Sequence, residues 1–342
     1  MAQPAEHFEN GGQTVNVRGR NRPYLECRRI RRRDYYLLER IGSPFRESYL
    51  AFDRLAGPGG CFFLVQSLPA GKAAEQLLRV LSRLKSDAFP RVVEWDKQRH
   101  QVDVALTWTE GISLADYLQN IRERRRPPVE PAQAVRLVNG LAHAVCHLQR
   151  HLQIAHGDIQ PANVIVTSHP SHLQLIDFGS GWTIEWTTRR TEGDGHHRCY
   201  AAPELQNGAC PVTLASDQFS VSVLLFELLT LHLPYGGLGA KAGRQGFIAR
   251  AVDTWVPPSE LSSSCKQLPR SLRDRLDALV MRGLALNPKE RYPDHHVWLN
   301  GWKELTARFS ISPELPPVEN TLTRVIGWFV SLHNGRKRSE EA

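Results

Sequence analysis

The chain has 342 residues, 41% of them hydrophobic and 8% aromatic, with a formal charge of +8. That is more than one ordinary domain requires and enough apolar matter for a real core. No apolar stretch approaches the roughly 20 residues of a membrane-spanning helix. The opening Met1-Ala2-Gln3-Pro4-Ala5-Glu6 lacks the apolar segment of a secretory signal, and the six cysteines show no C-x-x-C pair, which argues against a disulfide framework or a structural zinc site. A reducing cytoplasmic compartment is the simplest expectation.

In chain order, residues 1–33 come first, with eight arginines (18, 20, 22, 28, 29, 31, 32 and 33) against three glutamates, a net of +5. Their polar composition predicts a flexible basic arm. Such an arm can contact phosphates, but no stacking or base-reading pattern accompanies it, so nucleic-acid binding is the lesser reading. Tyr35 to Ile41 predicts a strand running into a turn at Gly42-Ser43-Pro44-Phe45-Arg46. Cys61 to Leu68 predicts a second strand, residues 72–85 a helix, and the alternation of Val102 to Leu106 a further strand. Thr107 to Gly111 connects to a helix beginning near Ser113. After the charged loop Arg122 to Arg126, apolar residues at 134, 138, 141, 145, 148 and 152 mark one face of a long helix. His143, His147 and His151 share that helix at four-residue spacing; without a carboxylate to complete a site they read as solvated or capping groups.

The run His156-Gly157-Asp158-Ile159-Gln160-Pro161-Ala162-Asn163 follows, then two short strands, Val164 to Val166 and Leu173 to Ile176, and then Asp177-Phe178-Gly179. Farther on lie Ala202-Pro203-Glu204, an apolar helix opened by Ser216-Asp217, and Asn287-Pro288-Lys289-Glu290-Arg291. The cluster His196-His197-Arg198-Cys199 fits no common zinc spacing. The tail places Leu322, Val325, Ile326 and Phe329 on a short amphipathic stripe ahead of Arg336-Lys337-Arg338, expected to pack back on the domain.

These motifs, in this order, resemble those of protein kinases: an aspartate with an asparagine five residues on, then D-F-G, A-P-E and N-P-x-x-R. The resemblance implies an α+β, bilobal fold with a small β-rich lobe over about 34–106 and a mainly helical lobe over about 112–308, between the basic arm and a tail of residues 309–342. It implies ATP and magnesium as cofactors and a protein substrate or partner. Asp158 is the implied proton acceptor, with Asn163 and Asp177 as catalytic residues and metal ligands. The implied nucleotide site comprises Gly42, Arg46, Leu64, Gln66, Leu106, Trp108, Gln160 and Ile165. Asp217 is expected to hold the catalytic loop backbone, and Glu204 to pair with Arg291.

Departures from the pattern are concentrated around the phosphates. Only the first loop glycine is kept; Gln66 stands where the phosphate-gripping lysine belongs, and Leu64 where a small alanine lies over adenine. Glu75 is the one glutamate between Gln66 and Glu94, and it lies too early in its helix to face position 66. Gln160 replaces a second lysine, His197 a threonine, and Gly157 the arginine that reads a phosphorylated activation loop. Two readings stay open. One is a pseudokinase, a kinase-shaped signalling or scaffold module that retains nucleotide and magnesium at most. The other is an atypical active Ser/Thr kinase in which Arg46 supplies the missing charge, Phe45-Arg46 resembling the Phe-Lys of the with-no-lysine group of kinases.

Overall fold

Alternating apolar and polar residues build most of the first third of the protein into sheet. The computed structural model describes residues 13–41, 47–84, 86–167, 172–176, 199–205, 210–244, 246–248, 251 and 254–311. Strands β1 (Thr14–Val17) and β2 (Arg20–Pro23) form a hairpin whose two-residue turn, Arg18-Gly19, takes positive φ at both positions. This is the geometry that matches the twist of paired strands. Val15 and Val17 point inward and, with Tyr24, cover Phe52, Tyr36, Leu38 and Phe62.

A six-stranded antiparallel sheet follows, in the order β3-β4-β5-β6-β8-β7: β3 (Glu26–Ile30), β4 (Arg33–Arg40), β5 (Glu47–Asp53), β6 (Cys61–Pro69), β7 (Val92–Lys97) and β8 (Gln101–Thr107). The expectation of a flexible arm over residues 1–33 is therefore corrected for residues 13–33. They contribute a hairpin and an edge strand, and β3 pairs with β4 from Glu26 opposite Leu37 to Ile30 opposite Arg33. The arginines are compatible with strand because they alternate with groups that face the protein. Arg28 donates to Ser67 Oγ at 2.7 Å and lies 3.5 Å from the buried carboxylate of Asp103, while Arg31 stacks over Trp95. The sheet curls strongly enough for the Tyr35 hydroxyl on β4 to donate to Glu94 on β7 at 2.7 Å. Inside the curl Tyr35, Leu37, Ala51, Phe63, Val65 and Ala105 pack together.

The opposite face of β6 and β8 presents Leu64, Val102, Val104 and Leu106 to Leu78 of α1 (Lys72–Leu81). This helix ends four residues before the expected limit at Lys85. The chain then crosses through Trp108 into β9 (Gly111–Ser113) and α2 (Leu114–Arg122), capped by the Ser113 side chain accepting from Asp116 N. Helix α3 (Pro131–Leu152) buries the face that the spacing marked. Strands β10 (Val164–Thr167) and β11 (Leu173–Leu175) pair as expected, with β9 alongside.

Helix α4 (Leu214–Thr230) is buried on every side from Ser216 onward. Its hydroxyls at Ser220, Ser222 and Thr230 donate to carbonyls one turn back, so these three groups are satisfied within the helix. Helices α5 (Arg270–Gly283) and α6 (His295–Ile311) complete the large lobe, α6 setting Trp298 and Trp302 fully out of solvent. The lobes are joined outside the crossing as well: Leu175 N donates to Ala88 O at 2.8 Å, and Leu77, Leu81 and Phe89 belong to the large-lobe core.

Candidate active site

The loop after α3 is held from below. The chain leaves the helix at Gln153 in a left-handed conformation, and both carboxylate oxygens of Asp217, in the first turn of α4, accept from the loop backbone. His156 N donates at 2.7 Å and Gly157 N at 2.9 Å. Gly157 has φ +74, a conformation that a glycine adopts without strain. Burial pushes the Asp217 carboxyl up to about 7, against the two backbone donors that favour its charge.

Above this anchor Asp158 is nearly buried and receives amide donors on both oxygens. Gln160 Nε2 donates to Oδ1 at 2.9 Å and Asn163 Nδ2 to Oδ2 at 3.0 Å; the same Asn163 nitrogen also reaches the Asp158 carbonyl at 2.9 Å. The spacing works because Pro161–Asn163 forms a single 3-10 turn opened by proline, which brings position 163 back over 158. Ile176 N donates to Asn163 O at 2.8 Å, tying the strand that leads to Asp177 beside the loop. Asp177 itself, Gly42, Arg46, His196 and His197 lie outside the described residues.

From the small lobe, Gln66 on β6 sits opposite Ser48 and Val104, and its Nε2 donates to Ser48 Oγ at 3.1 Å. Leu64 lies opposite Leu50 and Leu106 on the same face, and Ile165 on β10 is half-buried. Glu75 does not approach Gln66 as an ion-pair partner: Lys97 Nζ, just at the end of β7, lies 2.8 Å from its carboxylate and holds it below the usual range. The Trp108 side chain lines a groove of about 390 Å³ walled also by Asp87, Phe89, Arg91, Thr167 and His172. That wall contains none of Leu64, Gln66, Leu106 or Ile165.

One cluster was missed from the sequence. Glu227, deep in α4, accepts from the Tyr200 hydroxyl at 2.8 Å and from Arg122 of α2, linking the stretch before Pro203 to two helices. A single glutamate inside the apolar run of α4 was the available signal, since a buried carboxylate has to be paired. Glu204 and Arg291 pair as expected, with guanidinium nitrogens at 2.7 and 2.8 Å from the two carboxylate oxygens. Among the described residues no group of three or more His, Cys, Asp or Glu side chains is arranged to hold a metal, and the His147 and His151 rings lie 4.4 Å apart, tilted by 42°.

A β-rich small lobe, a helical large lobe and an Asp-Asn loop anchored by a buried aspartate define a protein-kinase-like fold. Comparison with known proteins agrees: the protein kinase domain pattern matches residues 70–300, more than half of the chain, and this protein belongs to that family. Among curated relatives it is similar to serine/threonine-protein kinase PrkC of Bacillus subtilis, 25% identical over 193 residues covering 55% of this chain and 26% of that one. It is also similar to PknB of Mycolicibacterium smegmatis, 25% identical over 192 residues covering 55% and 28%. The matches thus span well under two thirds of those relatives. Among solved structures the PknI kinase domain of Mycobacterium tuberculosis superposes with a TM-score of 0.54 at 19% identity, covering 79% of this chain and 96% of that one.

The family's cofactors fit these residues unevenly. Asn163 donates its nitrogen to Asp158, which leaves its amide oxygen as the ligand-type atom for a magnesium ion. The two positions that grip phosphates in the family carry neutral amides, each already hydrogen-bonded within the protein, so the described residues do not fit a triphosphate in the family's usual pose.

Proposed function

We propose that this protein is a kinase-fold signalling or scaffold module whose phosphoryl transfer is impaired, acting through protein partners in the cytoplasm. The observation that carries the reading is Gln66. It is neutral and bonded to Ser48, and Glu75, the one glutamate of α1, pairs with Lys97 instead. Phosphoryl transfer depends almost wholly on positioning and charge stabilisation, and each lost donor of this kind costs about 10²–10³ in rate. Gln160 removes a second charge. A second reading draws on the intact Asp158–Asn163 geometry: an atypical active Ser/Thr kinase in which Arg46, two positions before Ser48, supplies the phosphate charge, with Asn163 and Asp177 holding magnesium.

Thermal unfolding with ATP and magnesium tests nucleotide binding: a ligand at a hundred times its Kd adds about 2.7 kcal/mol. Phosphate transfer to the protein itself or to a generic protein substrate tests activity. The impaired reading expects no transfer; transfer lost in both Asp158→Asn and Arg46→Ala overturns it in favour of the second.

A further inference from the structure

Four histidines gather where the end of α3 meets the start of α6. His147 and His151 lie one turn apart late in α3 with ring centres 4.4 Å apart, and His295 and His296 open α6 with ring centres 4.0 Å apart. The two helices are packed on each other, and Leu148 shares its core with Trp298 and Trp302. At such separations a second proton in either pair meets the charge of the first. Partial burial holds His147 below the ordinary histidine value, and the neighbouring His151 and Arg150 add to it; burial, then His296 and Arg150, do the same at His295. The opposing charge is the Asp294 carboxylate, which caps α6 by accepting from Val297 N at 2.9 Å; no other charged group among the described residues bears on either ring. The helix ends act in the same sense. Free N–H groups in the first turn of α6 disfavour a cation, and the carbonyl end of α3, which attracts one, already holds Arg150.

We propose that the junction of α3 and α6 is an acid-sensitive contact: uncharged imidazoles let the two helix ends seat together at neutral pH, and proton uptake in mildly acid solution weakens that seating through like charges gathered around Arg150. Its place in the fold ties it to the candidate site. His151 lies two residues before Gln153, where the chain turns out of α3 into the loop that carries Asp158, so the contact that loosens stands at the foot of that loop. The proposal holds whether or not the protein transfers phosphate. Because rings that resist protonation in the folded protein take up protons more readily in the unfolded chain, their contribution to stability is whole above about pH 6.5, the ordinary histidine value, and declines as the pH falls below it.

Urea unfolding of the full chain and of the double variant His147→Gln with His295→Gln, at pH 7.5 and at pH 5.0, tests the proposal. Both chains carry Asp217, so its own pH dependence cancels in the comparison. Between the two pH values the unfolding constant of the unaltered protein is expected to rise about threefold more than that of the variant. An equal rise in both, or a larger one in the variant, overturns the proposal. Histidine ring resonances followed by NMR across the same range, assigned through single variants, give a readout that does not need the double variant to fold. His147 is expected to titrate below the ordinary histidine value and to move up toward it in His151→Gln. Titration of His147 and His295 at or above the ordinary value, or a His147 titration that the loss of His151 leaves in place, overturns it as well.

Discussion

Arg291 shows how one side chain can hold a lobe together. It is almost wholly buried, and its nitrogens are spent on Glu204 and on the carbonyls of Ala285 and Ala215, with the plane of the group over Phe219. Removing one partner of such a pair strands a charge away from water, so Glu204→Ala is expected to cost about 3–5 kcal/mol in urea unfolding. A loss below about 1 kcal/mol would mean that solvent reaches the guanidinium. Asp217 gives the pH counterpart. Its folded value near 7 lies above that of an unfolded aspartate, about 3.9. The stability of the protein relative to Asp217→Asn is therefore highest below pH 4, falls as the pH rises to 7, and levels beyond. Paired unfolding curves between pH 4.5 and 8 check this; a gap that widens with pH contradicts it.

Two elements depend on close approach or on unexpected cover. Gly283 ends α5 where it crosses α4, and a Cβ there would stand 1.9 Å from Ser222 Oγ and 2.9 Å from Ser222 Cβ. Gly283→Ala is expected to cost about 1–3 kcal/mol by overpacking, and Ser222→Gly in the same chain to recover part of it. Additive losses in a double-mutant cycle would refute the contact. The β1–β2 hairpin sets Val17 against the aromatic face formed by Phe52 and its neighbours. Val17→Asp is accordingly expected to lower stability by about 2 kcal/mol, a change that a loose arm would not register in thermal unfolding.

At the scale of the whole molecule, the positive charge of the amino-terminal stretch is dispersed over several faces. Arg18 lies over Phe62, Arg31 over Trp95, Arg28 beside Asp103, and Arg29 and Arg33 near Asp34 and Asp53. Arg20, Arg22 and Arg32 are left without a carboxylate or ring partner among the described residues. Oligonucleotide binding is thus expected to show a log–log salt slope shallower than about −3, since each phosphate neutralised contributes about −0.9. A steeper slope would point to a dedicated basic surface.

The motifs of the large lobe were legible in the sequence because each is a short spacing with one local geometry. Five residues and a proline bring Asn163 over Asp158, and a single apolar run carries Asp217 into the core beneath it. The Glu204 to Arg291 pair was reached through its flanking motifs, although the residues are far apart in the chain. The sequence by itself therefore determined the family and the fold class. Only the tertiary structure decided that residues 13–33 carry a hairpin and an edge strand, that Glu75 belongs to Lys97, and that Glu227 joins Arg122 to Tyr200. The reason is physical. An arginine-rich edge strand carries the composition of coil until a neighbouring strand accepts its hydrogen bonds and a buried acid its charge. Likewise, the partner of a lone glutamate is chosen by the packing of distant elements and not by spacing along the chain.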